Sequence, residues 1–184
     1  MMWETERLLL RPWCEDDAAE LYRYAGDPDV ALPAGWMPHT SEANSREIIR
    51  TILSKPTIWA VCQKDGRPIG NIHLDFDTAL RAGDDECELG FWLGKPFWGQ
   101  GLIPEAARAV LHDAFVRRKV RTVWCGYFDG NDKSRRVQQK LGFVLNHTDV
   151  VPDFLDAAQK KTVHRTYLTR ERFEMTMENH HRSF

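Results

Sequence analysis

Between residues 88 and 115 a short apolar strand, a loop carrying two glycines and an amphipathic helix follow one another without a break, a junction of the kind that binds phosphate. Glu88-Leu-Gly-Phe-Trp-Leu93 has the two-residue alternation of a strand, with Glu88, Gly90 and Trp92 on one face and Leu89, Phe91 and Leu93 on the other. Gly94 to Trp98 form a loop. Beyond it Ile103, Ala106, Ala107, Val110, Leu111, Ala114 and Phe115 fall on one helical face. Pro104 suits a first helical turn, where a missing N–H costs nothing. Amides at a helix start lack intrahelical partners and lie at the positive end of the dipole, so this junction can hold a pyrophosphate without any basic side chain. Gly99 and Gly101 let the backbone come close to such an anion.

The rest of the chain bounds what the anion site can belong to. With 184 residues, 42% of them hydrophobic, residues 1–171 are expected to form a single globular domain with a real core. The tail 172–184, ending in Asn179-His-His-Arg-Ser-Phe184, is expected to fray. A formal net charge of -2 argues against nucleic acid and anionic membrane as partners and leaves small molecules or peptide ends. No window approaches about 18 uncharged apolar residues. Acidic residues in Met1-Met-Trp-Glu-Thr-Glu-Arg7 stand where a signal peptide needs a basic and then an apolar run, so a cytoplasmic location is expected. Cys14, Cys62, Cys87 and Cys125 form no CxxC pair, which speaks against a zinc site and a redox dithiol; no metal is expected.

Strand and helix signals otherwise alternate, the pattern of an α/β or α+β domain. Arg7 to Arg11 reads as a strand, and Ala18, Leu21, Tyr22 and Ala25 recur at helical spacing. Pro28, Pro33, Gly35 and Pro38 predict an irregular segment carrying Trp36, Met37 and His39, the expected substrate-lining loop. Thr40 or Ser41 caps a second helix with Ile48, Ile49, Ile52 and Leu53 on its apolar face. Thr57 to Gln63 and Pro68 to Phe76 form a hairpin about Asp65-Gly66. A strand from Arg121 to Tyr127 leads to a helix bracketed by Asn131 as N-cap and Gly142 as stop, and two closing strands cover Phe143 to Val151 and Lys161 to Thr169.

Taken in order, Thr5-Glu-Arg-Leu-Leu-Leu-Arg-Pro12, Glu88-Leu-Gly-Phe-Trp-Leu93, Trp98-Gly-Gln-Gly101, Pro104-Glu-Ala-Ala107 and Asn131-x-x-Ser134 ahead of Leu141-Gly-Phe143 resemble the GNAT N-acetyltransferases, and more narrowly their RimJ/RimL group. The resemblance covers nearly the whole chain. It implies a mixed, mostly antiparallel α/β (α+β) sheet of about six to seven strands flanked by about four helices. It also implies acetyl-CoA as co-substrate, with its pyrophosphate on the backbone amides of Gly99, Gln100, Gly101, Leu102 and Ile103 beside Trp98, and its pantetheine arm along the strand from Glu88 to Leu93. A backbone amide near Trp92 or Leu93 is then the oxyanion donor, and Asn131 both caps a helix and contacts pantetheine. The chain departs from the family pattern twice. Pro96 stands where Gln or Arg is frequent, and Gln138 stands where many members carry the tyrosine that reprotonates the thiolate. Ser134 fills that role, as in similar RimL-type enzymes, or is simply a small residue at a helix contact.

An aliphatic amine is mostly protonated at neutral pH, so a base must act before the nitrogen can attack. Glu88, His73 and Glu105 are the candidates. Glu88 is either the base or an ion-paired strand-end carboxylate, and His73 lies in a polar stripe with Asn71 and Asp75 that faces a pocket or water. Glu105 is accounted for as a favourable charge in a first helical turn. The RimJ/RimL resemblance implies a protein N-terminal α-amine as acceptor, with small amines the alternative. Two other classes stay open: a noncatalytic acyl-CoA-binding sensor, and a dinucleotide-binding oxidoreductase, whose GxGxxG pattern is missed at the third glycine. The sequence admits a monomer or a homodimer.

Overall fold

The computed structural model describes residues 2–80 and 83–181. The strands are β1 (Trp3–Glu4), β2 (Leu8–Arg11), β3 (Ile58–Gln63), β4 (Pro68–Asp75), β5 (Glu86–Leu93), β6 (Thr122–Phe128), β7 (Val144–Pro152) and β8 (Lys160–Thr169). They form one sheet in the order β1-β2-β3-β4-β5-β6-β8-β7. The β5–β6 pair is parallel, while β1–β2, β2–β3, β3–β4, β6–β8 and β7–β8 are antiparallel. The helices are α1 (Ala18–Ala25), α2 (Pro28–Ala34), α3 (Glu42–Ile48), α4 (Leu102–His112), α5 (Asp132–Lys140) and α6 (Arg170–His181). Among the described residues no helix is long and apolar enough to cross a membrane.

The mixed α/β sheet follows expectation, with one strand and two helices more than the sequence signals counted. The added strand, β1, is two residues long, too short to signal by alternation; it pairs with Leu9 and Leu10 of β2, and Trp3 packs edge-on against Trp59, ring centroids 4.7 Å apart. The added helix α2 occupies the segment expected to be irregular. Its prolines are compatible with a helix by position: Pro28 opens the first turn behind the Asp27 cap, which accepts from the Asp29 amide, and Pro33 falls in the last turn before Gly35 at φ 92°. The segment from residue 172, expected to fray, continues as α6, because the Phe173 ring is buried 5.2 Å from that of Phe115. Residues 182–184 of that segment lie outside the described residues.

Two compact units divide the chain: the residues up to His73 with Phe91–Ala109, and Leu74–Gly90 with the residues from Val110 on. In the first, Trp13, Leu21, Ile49, Leu53 and Ile58 pack into one apolar cluster. Its frame is tied by Arg11, whose guanidinium meets both oxygens of Asp17 at 2.7 Å and donates at 2.8 Å to the Gly66 carbonyl in the β3–β4 turn. Burial works against the Asp17 carboxylate, but Arg11 and the Cys14 amide hold its pKa below the ordinary aspartate value. In the second unit Phe115, Val123, Leu141 and Leu168 are buried. Along α4 and its wider-turned extension Asp113–Arg117, the apolar face is the one its spacing predicts: Ala106, Ala107, Val110, Leu111, Ala114 and Phe115 are all buried.

Candidate functional site

In the first unit β5 ends at Leu93, and the chain is pinned at once by the Gly94 amide on the Ile69 carbonyl at 2.8 Å. A Cβ at Gly94 would lie 2.7 Å from the Tyr24 ring, so this corner admits no side chain. A single helical turn over Lys95–Phe97 carries the chain round, with Lys95 paired to Asp29 of α2. The Trp98 indole then donates back to the Leu93 carbonyl at 2.7 Å, and the Gln100 side chain donates to the Pro96 carbonyl at 3.1 Å. The loop is therefore closed on itself by its own side chains. Pro96 sits inside that turn, where its missing N–H removes nothing from the amides that follow.

Gly99 and Gly101 adopt φ 77° and 75°, the left-handed region that favours glycine, and α4 begins immediately after. Among the described residues the amides of Gly99, Gln100 and Gly101 donate to no protein acceptor. Those of Leu102 and Ile103 open α4, where helical geometry offers no intrahelical partner. A Cβ built at Gly99 would meet nothing within 4 Å, so the crest of the loop is open. Successive unpaired amides at a helix start, approached over glycine, suit an anion of the size and charge of a diphosphate.

Along β5 the ladder to β6 is three pairs long, Glu86 with Thr122, Cys87 with Val123 and Glu88 with Trp124. Both strands continue past it, β5 to Leu93 and β6 to Phe128. Trp92 and Leu93 end β5.

Near Trp92 the first unit gathers polar groups among aromatic rings. Trp36 stands 5.9 Å from Trp92 and 5.4 Å from the His39 ring. His39 bonds through Nδ1 to the buried Ser45 hydroxyl at 2.8 Å, and burial holds its pKa below the ordinary histidine value, leaving a neutral imidazole at pH 7. No sequence spacing distinguished His39 from the other residues of its loop. Asn71 is 3% exposed, so the stripe it shares with His73 faces protein at that point. Its Oδ1 accepts from the Trp13 indole at 2.9 Å, which turns Nδ2 towards His73 Nδ1 at 3.3 Å. An amide donor at Nδ1 puts the proton of a neutral His73 ring on Nε2, a donor tautomer poorly suited to taking a proton there.

In the second unit Glu88 accepts from the Thr78 hydroxyl at 2.6 Å and lies 3.8 Å from the Arg165 guanidinium, with a quarter of its side chain exposed. It is neither sealed in the core nor fully solvated. Asn131 caps α5 through the Ser134 amide at 3.2 Å, as its position at the helix start predicts. Ser134 Oγ accepts from Gln138 Nε2 at 3.1 Å, which leaves its own hydroxyl proton to donate elsewhere. Gln138 is buried: Nε2 also donates to the Gly126 carbonyl at 3.0 Å, and Oε1 accepts from Thr166 at 2.6 Å. This residue, singled out for the tyrosine it lacks, is a three-way tie between α5, β6 and β8. Gln138→Leu is expected to destabilise the protein by about 2 kcal/mol, measured as a lowered urea midpoint at unchanged m-value, because Thr166 and Gly126 lose a buried partner.

Cys125 is buried and its thiol pKa is pushed up by burial; Cys62 is likewise pushed up, to about 12. Neither holds a thiolate at neutral pH. Among the described residues no group of three or more His, Cys, Asp or Glu side chains could hold a metal ion.

The model of the acetyltransferase (GNAT) domain matches residues 7–144. The chain belongs to the GNAT family. The Bacillus subtilis (strain 168) protein named "Putative ribosomal N-acetyltransferase YdaF" is 36% identical over 81 residues, an alignment spanning 44% of this chain and 42% of that relative, so less than half of its length. A GNAT-family acetyltransferase from Bacillus anthracis superposes with a TM-score of 0.78 at 21% identity, covering 93% of this chain and 99% of that one. Mycobacterium smegmatis RimJ, solved in complex with CoA-disulfide, superposes at 0.71 and 16% identity over 92% and 87% of the two chains. At such identities the structural likeness is one of fold.

For this GNAT chain the named site residues sort into two sets. Trp92, Leu93, Trp98 and Gly99 to Ile103 form one continuous path in the first unit, which also holds His73. Glu88, Asn131 and Ser134 lie in the second.

Proposed function

We propose that the protein is an acetyl-CoA-dependent N-acetyltransferase whose acceptor is a primary amine, and that residues 1–171 work as one acetyltransferase domain. The observation that carries this reading is the run of unpaired amides over Gly99, Gln100 and Gly101 at the head of α4. The family uses acetyl-CoA, and these amides with those of Leu102 and Ile103 would hold its diphosphate. The strand from Glu88 to Leu93 would pair with the amides of pantetheine as another strand would, and the backbone amide of Trp92 or Leu93 would polarise the thioester carbonyl. Acetyl-CoA, when bound, supplies an acyl group activated as a thioester.

The chain's own groups do the rest. Glu88 takes the proton of the incoming ammonium, since its carboxylate is partly exposed, whereas Nδ1 of His73 faces the Asn71 amide at 3.3 Å. Ser134 donates to the departing sulfur and is reprotonated by the second proton the nitrogen sheds as the amide forms, its hydroxyl oriented by Gln138 and its backbone by Asn131. Transfer is direct, without an acyl-enzyme, and the buried Cys125 thiol, held in its neutral form, is not an acyl carrier. The name of the Bacillus subtilis relative, a ribosomal N-acetyltransferase, supports a ribosomal acceptor, and the amine we assign on it is the N-terminal α-amine of a protein.

Titration with acetyl-CoA and with NAD, followed by tryptophan fluorescence, tests the co-substrate: saturation by acetyl-CoA is expected, and saturation by NAD alone overturns the reading. Gly99→Val is expected to raise the Kd for coenzyme A at least about tenfold, since a β-branched residue is strained at φ 77° and would crowd the open crest of the loop. A mass-spectrometric screen of acetyl-CoA with peptide N-termini, polyamines and aminoglycosides identifies the acceptor. Acetylation of the small amines alone would remove the protein α-amine, and acetyl-CoA binding with no acetylated product would favour the sensor.

A further inference from the structure

The segment Thr5-Glu-Arg7 is among the motifs of the family resemblance, yet nothing in the proposed reaction uses it. In the structure it grips the first turn of α4. The Glu105 carboxylate accepts from the Thr5 hydroxyl at 2.6 Å, the Arg7 amide at 2.8 Å and Arg7 Nε at 2.7 Å. Burial alone would raise the Glu105 pKa, but these donors hold it below the ordinary glutamate value, so Glu105 is an ionised anchor and not a base. The same guanidinium reaches past Glu105: Arg7 NH1 donates to the Gln100 carbonyl at 2.9 Å, and NH2 stands 3.8 Å from the Cβ position of Gly101.

We propose that Arg7 is the positioning residue of the anion loop, fixing the peptide between Gln100 and Gly101 so that its N–H, and not its carbonyl, faces the bound anion. The inference rests on the reading of that loop as the coenzyme A diphosphate site. Its physical basis is the freedom of glycine. Gly101 sits at φ 75°, and glycine takes positive and negative φ with similar ease, so the peptide before it can turn over at little steric cost. A turned-over peptide would present a carbonyl oxygen to a diphosphate. The peptide is trans and planar, so its C=O and N–H point to opposite sides. With the carbonyl held by Arg7, the Gly101 N–H is directed away from the guanidinium, and among the described residues it donates to no protein acceptor. Glu105, fixed by Thr5, aims the guanidinium, and the two-pronged donor is what lysine cannot reproduce.

The test compares coenzyme A with pantetheine, which lacks the diphosphate, on the intact protein and on Arg7→Ala, Arg7→Lys and Glu105→Gln. Arg7→Ala is expected to raise the Kd for coenzyme A about tenfold and the KM for acetyl-CoA in step, with kcat at saturation within about twofold and pantetheine affinity unchanged. Arg7→Lys is expected to recover less than half of that loss on a logarithmic scale. Glu105→Gln, which keeps a side-chain acceptor for Thr5, is expected to raise the Kd about threefold, and it carries the test should Arg7→Ala fail to fold. An unchanged Kd for coenzyme A in folded Arg7→Ala overturns the inference, as does an equal loss with pantetheine, which would mark a general structural role. Complete rescue by Arg7→Lys overturns it in favour of simple charge attraction. Saturable wild-type binding that the variants leave unchanged sinks the role of Arg7 alone, whereas no wild-type binding of coenzyme A sinks the diphosphate reading beneath it.

Discussion

Glu88→Gln is expected to lower kcat for acetyl transfer about a hundredfold while the Kd for coenzyme A stays within about twofold of wild type. The substitution is close to isosteric, and the amide oxygen can still accept from the Thr78 hydroxyl now 2.6 Å from the carboxylate, so the local frame should persist. What is lost is the capacity to take a proton from the ammonium that predominates at neutral pH. Removing the charge also leaves Arg165 with Asp149, to which it already donates at 2.9 Å, so no buried cation is stranded. Single-turnover kinetics with saturating acetyl-CoA and a peptide amine would separate the chemical step from binding. A chemical step as fast as that of wild type would show that Glu88 only pairs with Arg165 and would move the proton acceptor to His73, to the neutral His39 ring or to solvent.

The largest effect on stability is expected at Asp17. Asp17→Asn should cost about 2–4 kcal/mol near pH 7, seen as a lower urea midpoint, because it leaves the half-buried Arg11 guanidinium without its carboxylate while Arg11 still spans to the Gly66 carbonyl. The pH dependence has a fixed sign. The native pKa of Asp17 is depressed, so the stability it contributes is fully present above the unfolded value near 3.8 and is lost as pH falls through the lower native value. The gap between wild type and variant should therefore be widest near pH 6 to 7 and close in that acidic window. A gap that is constant from pH 7 to below 3.8 would show that the charge of Asp17 contributes nothing and that its shape alone matters.

Much of the scaffold was legible because it repeats locally. The face of α4, the Asn131 cap, the Gly142 stop at φ 91° and the Asp65-Gly66 turn with Gly66 at φ 88° are each specified within a few residues, where steric limits and helix-end hydrogen bonds act. Prolines misled in the segment that became α2, since a proline breaks a helix or starts one depending on whether a cap precedes it. Strand β1 and helix α6 were invisible for another reason. Each is held by contacts between residues far apart in the chain, among them the rings of Trp3 with Trp59 and of Phe173 with Phe115.

The junction from Glu88 to Phe115 was determined by the sequence alone: alternation, two glycines and a helical stripe suffice for a strand, a left-handed glycine turn and the buried face of α4. Which side chains govern that turn was decided only by the tertiary structure. Thr5 and Arg7 meet at Glu105 and Arg7 reaches the Gln100 carbonyl, and Gln138 meets Ser134 and Thr166, through hydrogen bonds that span from 4 to 100 residues of chain. Periodicity records which face a residue lies on. It carries no information about the partner brought opposite by folding, and the orientation of a donor is set by that partner.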